Sequence, residues 1–86
     1  MGEFKKIMLD HRTETFMAVC NVMNYREAAE LLHITQPAVT QHIQFLEKEY
    51  GCRLFIYENR KLIKTPAAQM LEDYLRSVQQ RENFLR

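Results

Sequence analysis

Residues 24–50 read Asn24-Tyr25-Arg26-Glu27-Ala28-Ala29-Glu30-Leu31-Leu32-His33-Ile34-Thr35-Gln36-Pro37-Ala38-Val39-Thr40-Gln41-His42-Ile43-Gln44-Phe45-Leu46-Glu47-Lys48-Glu49-Tyr50. Two helical patterns meet here across a short break. Asn24 is placed to cap the first helix, with Glu27 three positions on as in a capping box. The small pair Ala28-Ala29 lets a second helix approach closely, and His33-Ile34-Thr35 has the length of a helix-turn-helix turn. Thr35 then caps the second helix, with Pro37 in its first turn, where a missing N–H does no harm. At about 100° per residue, residues 36–50 separate into two arcs. Ala38, Val39, His42, Ile43, Phe45, Leu46 and Tyr50 form the core arc. Gln36, Pro37, Thr40, Gln41, Gln44, Glu47 and Lys48 form the other, and its N-terminal half is amide and hydroxyl rather than Lys and Glu. Such groups both donate and accept, which suits reading base edges in a DNA major groove. The competing reading of this patterning is an ordinary helical hairpin whose polar face meets only water.

Working outward, Phe16, Met17, Val19, Cys20 and Met23 make the stripe of a core helix from about Leu9 to Met23. Residues 1–8 are left as an N-terminal extension without an assigned element, although Phe4 could pack on that helix. Gly51 is positioned to end the long helix in a left-handed conformation. Residues 53–57 are β-branched and aromatic enough for a strand, Glu58-Asn59-Arg60 has turn character, and residues 61–64 return as a second strand, giving a β-hairpin wing. Thr65-Pro66 repeats the cap-then-proline signal and opens a last helix reaching about Phe84. The fold class is therefore mainly α, three helices plus a β-hairpin wing followed by a long helix.

An 86-residue chain of which 47% is hydrophobic and 27% charged has room for one small core. No apolar run approaches the roughly 20 residues of a membrane span, and the N-terminus lacks a secretory pattern, so a cytoplasmic location is expected. Cys20 and Cys52 lack CxxC spacing and read as reduced thiols, with no metal site and no cofactor. His11, His33 and His42 have no carboxylate or thiol partner at motif spacing, which argues against an enzyme, and His42 sits on the core arc as a packing residue. The net charge is only +1. Its distribution is uneven, because residues 51–65 hold Arg53, Arg60, Lys61 and Lys64 against Glu58 alone, while residues 13–32 hold Arg26 against Glu14, Glu27 and Glu30. The cations gather beside the polar arc, as phosphate contacts would require.

The run from Tyr25 to Glu47, with its Ala-Ala, Gln-Pro-Ala and Leu-Glu anchors, closely resembles the winged helix-turn-helix of LysR-type transcriptional regulators. The resemblance extends through Thr15-Phe16-Met17-Ala18-Val19, Gly51-Cys52-Arg53-Leu54-Phe55 and Thr65-Pro66-Ala67. It implies a bacterial regulator that binds double-stranded DNA as a homodimer on an interrupted palindrome. Residues 9–65 would form the DNA-binding domain and residues 66–86 a linker and dimerisation helix, with the effector-binding domain, and hence any small-molecule effector site, absent from this chain. Gln36, Pro37, Thr40, Gln41 and Gln44 are then expected to read bases, and Arg26, Thr35, Arg60 and Lys61 to contact the backbone. Leu71, Tyr74, Leu75 and Val78 are expected to form the dimer seam. The sequence departs from the family at Gln41 and Gln44, where a basic residue is usual, at Tyr57 for Arg in the wing, at Ala68 for Gly, and at Thr13 for Leu. A protein-interaction module on the same winged fold is the competing class.

Overall fold

The computed structural model describes the backbone of residues 10–85 and the side chains of residues 10–81, so the expectations for residues 1–8, including Phe4, lie outside the described residues. Four helices and one hairpin follow in the order α1 (His11–Val22), α2 (Tyr25–Leu32), α3 (Gln36–Tyr50), β1 (Phe55–Glu58), β2 (Lys61–Lys64) and α4 (Pro66–Leu85). This is a winged helix-turn-helix with a long final helix.

Helix α1 starts later than its apolar pattern suggested because Asp10 caps it, accepting the N–H groups of Arg12 at 2.9 Å and Thr13 at 3.3 Å. It is also buried more broadly than one stripe requires. Every residue from Thr15 to Cys20 is buried, since α2, α3 and α4 cover it from different sides. Thr13, at a position where the resemblance anticipates Leu, is buried with its hydroxyl donated to the Asp10 carbonyl at 2.7 Å.

The two N-caps of the central stretch act as read. Asn24 Oδ1 accepts from the Glu27 N–H at 2.8 Å, and Thr35 Oγ1 from the Ala38 N–H at 3.2 Å. Gly51 closes α3 at φ 69°, its N–H returning to the Glu47 carbonyl. The two earlier helix ends are less expected, because Met23 (φ 50°) and His33 (φ 59°) adopt the same left-handed geometry without being glycine. At His33 the Ile34 N–H reaches back to the Ala29 carbonyl at 3.0 Å, the six-to-one bond of a Schellman motif.

The hairpin pairs Phe55 with Lys64 and Glu58 with Lys61 in antiparallel register. Its two-residue loop, Asn59-Arg60, has positive φ at both positions (52° and 66°), which is the type I′ geometry that matches strand twist. The first strand begins at Phe55 rather than at residue 53. Before that point the chain is held by Glu47, whose Oε2 accepts the N–H of Leu54 at 2.8 Å and of Phe55 at 3.5 Å. Glu47 is thus removed from the solvated arc and serves as the bolt between α3 and the wing.

Phe16, Val19, Val39, Ile43, Leu46, Leu54 and Phe55 form the centre of the core. The Phe16 and Phe55 rings lie 5.6 Å apart, and Tyr25 meets Phe55 edge-on at 6.3 Å. Thr65 joins wing to last helix: its hydroxyl donates to the Arg53 carbonyl at 2.7 Å and accepts the Ala68 N–H at 3.1 Å. Ala68, where the resemblance anticipates Gly, is fully buried.

The proposed dimer seam is divided by this packing. Leu71 is 9% and Leu75 3% exposed, both within the chain's own core cluster, so the expectation that they form an open seam is corrected. Helix α4 lies closely enough on the body to bury them, and what it turns outward is Met70, 72% exposed, with Tyr74 at 42%. Val78 is half-buried.

Candidate nucleic-acid interface

Gln36, Pro37, Thr40, Gln41 and Gln44 together line one shallow concavity on the outer face of α3. Four are exposed and Thr40 is half-buried. The i, i+4, i+8 spacing of Gln36, Thr40 and Gln44 produces this row, and the buried Val39, Ile43 and Leu46 on the opposite side fix its direction. The row carries no charge. It offers the amides of three Gln, one hydroxyl and the apolar ring of Pro37 to whatever approaches.

A second groove adjoins the first, since Gln36 lines both. It runs between the start of α2 and the wing. Arg26, Arg60 and Lys61 stand on its sides, with Tyr25, Tyr57 and Leu62 among the residues lining it. Three of the four residues expected to contact a nucleic-acid backbone are therefore brought together, and Thr35 lies exposed beside Gln36 with its oxygen engaged in the α3 cap.

The cationic surplus of residues 51–65 is smaller in space than in sequence. Arg53 is drawn to Glu47 at 3.4 Å and to the Phe55 carbonyl at 3.3 Å. Lys64 is drawn to Glu72 at 2.7 Å, and Arg76 binds the same carboxylate at 2.6 Å while reaching Asn21 Oδ1 at 3.0 Å. Glu72 is only 5% exposed. Burial alone would raise its pKa, yet the hydrogen bonds from Lys64 and Arg76 outweigh that and hold the carboxyl below its ordinary value. This hub ties β2, α4 and α1 together. Glu72 and Arg76 stand at the i, i+4 spacing of one helix, but Lys64 and Asn21 join them from other elements, so no single spacing announced the whole hub. Among the described residues Arg60 and Lys61 are in no such pair, so the wing tip keeps its two charges, whereas Arg26 has a loose 3.8 Å contact with Glu30.

Three further groups are shifted by burial within the fold. His42 Nδ1 lies 2.7 Å from the Thr15 hydroxyl, and that hydroxyl donates to the His11 carbonyl at 3.1 Å, which leaves it to accept from the imidazole. Burial, then the neighbouring His11 and Arg12, push the His42 pKa down. Burial and Glu72 push the Cys20 thiol up to about 12, so it is an inert core group. Burial, with Glu47 and Tyr57, likewise pushes Tyr25 up to about 12.

Known proteins agree with this geometry. The sequence profile of the bacterial regulatory helix-turn-helix proteins of the lysR family matches residues 11–69. The chain belongs to the LysR family. The HTH-type transcriptional regulator CitR of Bacillus subtilis is 38% identical over 72 residues, covering 74% of this chain but 25% of the relative. The chain thus spans about a quarter of the length of such a relative. A LysR-family transcriptional regulator from Eggerthella lenta, solved by crystallography, is 58% identical, covers 78% of this chain and 96% of that one, and superposes with a TM-score of 0.76. The BenM_DBD complex with catB site 1 DNA superposes at 0.78 with 27% identity, over 87% of this chain and 84% of that one. Among the described residues no helix is long and apolar enough to cross a membrane.

Proposed function

We propose that this LysR-family chain binds double-stranded DNA in a sequence-specific manner, with α3 in the major groove. Gln36, Thr40, Gln41 and Gln44 read base edges there, Gln being able to pair bidentately with adenine and Thr serving several bases. Pro37 contributes shape and apolar contact. Arg26 at the start of α2, Thr35 at the start of α3, and Arg60 and Lys61 at the wing tip engage the phosphates on either side, helix amides at the two N-termini favouring an anion. The observation that carries this reading is the uncharged five-residue face of α3 set directly beside the cation-bearing groove, with Gln36 common to both. DNA in the solved BenM_DBD complex supports it by kinship.

The assembly proposed is a homodimer on an interrupted palindrome. Two α4 helices pair through the outward face of Met70, Tyr74 and Val78, placing the two α3 helices at a fixed spacing. Residues 66–86 then serve as linker, and a longer regulator of this family would add its effector-binding domain beyond them. Selecting bound duplexes from a random library and footprinting the preferred one tests the proposal. Two half-sites protected on one face of the duplex are expected, and recovery of no preferred sequence overturns specific readout.

A further inference from the structure

Tyr57 is 69% exposed, and its direction is fixed by the strand that carries it. Residues i and i+2 of a strand share a face, so the insertion of Phe55 into the core, against Phe16 and Tyr25, commits Tyr57 to the same side. The wing extends past the edge of the core at this point. Tyr57 therefore hangs over the groove that runs from Gln36 to the wing tip, with Tyr25 and Leu62 lining it and Arg60 and Lys61 beside it. Leu62 is also its cross-strand partner.

A groove with aromatic and aliphatic lining and cations along its sides has the two chemistries of a sugar–phosphate strand. Deoxyribose is a carbon-rich ring that packs on an aromatic face, while each phosphate takes hydrogen bonds and positive charge. Cations alone would serve a phosphate without an aromatic ring held over them. We infer that Tyr57 is a backbone-gripping residue of the DNA interface, its ring against a deoxyribose and its hydroxyl donating to the adjoining phosphate, a neutral contact that adds affinity without releasing a counterion. The inference rests on the DNA-binding reading and adds to it a contact whose strength does not follow salt, in contrast to Arg60 and Lys61.

The test measures affinity of the intact chain and of Tyr57→Ala and Tyr57→Phe for a duplex selected by the wild type and for a random-sequence duplex, over a salt series. Because Tyr57 is largely exposed, both variants should keep the wild-type unfolding midpoint. Tyr57→Ala is expected to weaken binding to both duplexes by about tenfold at every salt concentration, and Tyr57→Phe by about threefold, the size of one neutral hydrogen bond. Unchanged affinity in Tyr57→Ala overturns the contact, and a loss confined to the selected duplex overturns its assignment to the backbone. A slope altered by a full counterion overturns its neutral character, and a Tyr57→Phe variant equal to wild type removes the hydroxyl–phosphate bond. If the wild type binds no duplex, the DNA-binding reading itself fails; if it binds and Tyr57→Ala binds equally, only this contact does.

Discussion

The carboxylate of Glu47, in the last turn of α3, accepts the N–H of Leu54 at 2.8 Å across the turn that leads to the wing. It is the direct tie between the helix that carries the polar face and the hairpin that carries the cations. Leu54 is 1% exposed, so its amide has no water to fall back on. Glu47→Ala should cost about 1 to 3 kcal/mol in urea unfolding, since it leaves a buried donor unsatisfied and frees Arg53. Glu47→Gln, which keeps an acceptor, should cost less. Equal stability of Glu47→Ala and wild type would show that the wing is held by its core contacts alone.

A gain in stability is expected at His33. Its left-handed backbone (φ 59°) suits glycine, and its side chain is exposed. His33→Gly should raise stability by about 0.5 to 1 kcal/mol, the strain relieved being partly offset by the greater freedom of glycine in the unfolded chain. Met23→Gly, at the same geometry, should not gain, because Met23 packs against the core. A His33→Gly variant less stable than wild type in chemical denaturation would refute the strain argument.

These two helix ends mark the limit of what the sequence discloses. Asn24, Thr35 and Gly51 act within a few residues of themselves, as does Thr65 in capping α4, so type and spacing revealed these caps. Met23 and His33 are left-handed because of how the next helix must leave, and nothing in a Met or a His signals that. The uncharged row on α3 proposed to read bases was legible because it is periodic and chemically odd. The apolar side of α4 was legible only as a stripe: periodicity shows that Leu71 and Leu75 share a face with Tyr74, but not how far the body climbs around it. Glu47 was placed on the outward arc and Lys64 among the cations available to phosphate for a similar reason, since their partners lie across a turn or on another element.

Acid should weaken the fold through His42. Its imidazole is held below its ordinary value of 6.5 by burial, with His11 and Arg12 adding to the shift and Asp10 opposing it. A histidine whose folded pKa is depressed binds its proton more readily when unfolded. The stability from keeping it neutral is therefore complete above about pH 6.5 and is lost as the pH falls from there toward the folded pKa. His42→Gln should flatten the unfolding midpoint against pH in that window, and an identical pH dependence would place the titration elsewhere.

Readout and grip should separate by mutation. Gln36→Ala is expected to cost about 1 to 3 kcal/mol on the selected duplex and far less on random DNA. Equal losses on both would remove Gln36 from base reading. Arg60 is better tested as glycine than as alanine, because φ 66° is strained for alanine. Arg60→Gly and Lys61→Ala should each weaken binding to every sequence and lower the salt slope by roughly one counterion. Slopes that do not move would take the wing tip out of the interface.

The division of α4 gives opposite expectations for neighbouring residues. Leu75 is 3% exposed in the chain's own core, so Leu75→Glu buries an unpaired carboxylate and should unfold the monomer rather than merely separate one protomer from its partner. Met70, one turn from Tyr74 on the outward face, is 72% exposed, so charge there costs an isolated monomer little. Wild type is expected to sediment as a dimer at tens of micromolar. Met70→Glu should sediment as a monomer with its unfolding midpoint nearly unchanged, because Met70 is largely exposed in the single chain. Affinity for the full palindrome should then fall toward that for one half-site, as the second contact loses its high effective concentration. A wild type that sediments as a monomer, or a Met70→Glu variant that stays dimeric, would place the partner surface elsewhere than on this face of α4.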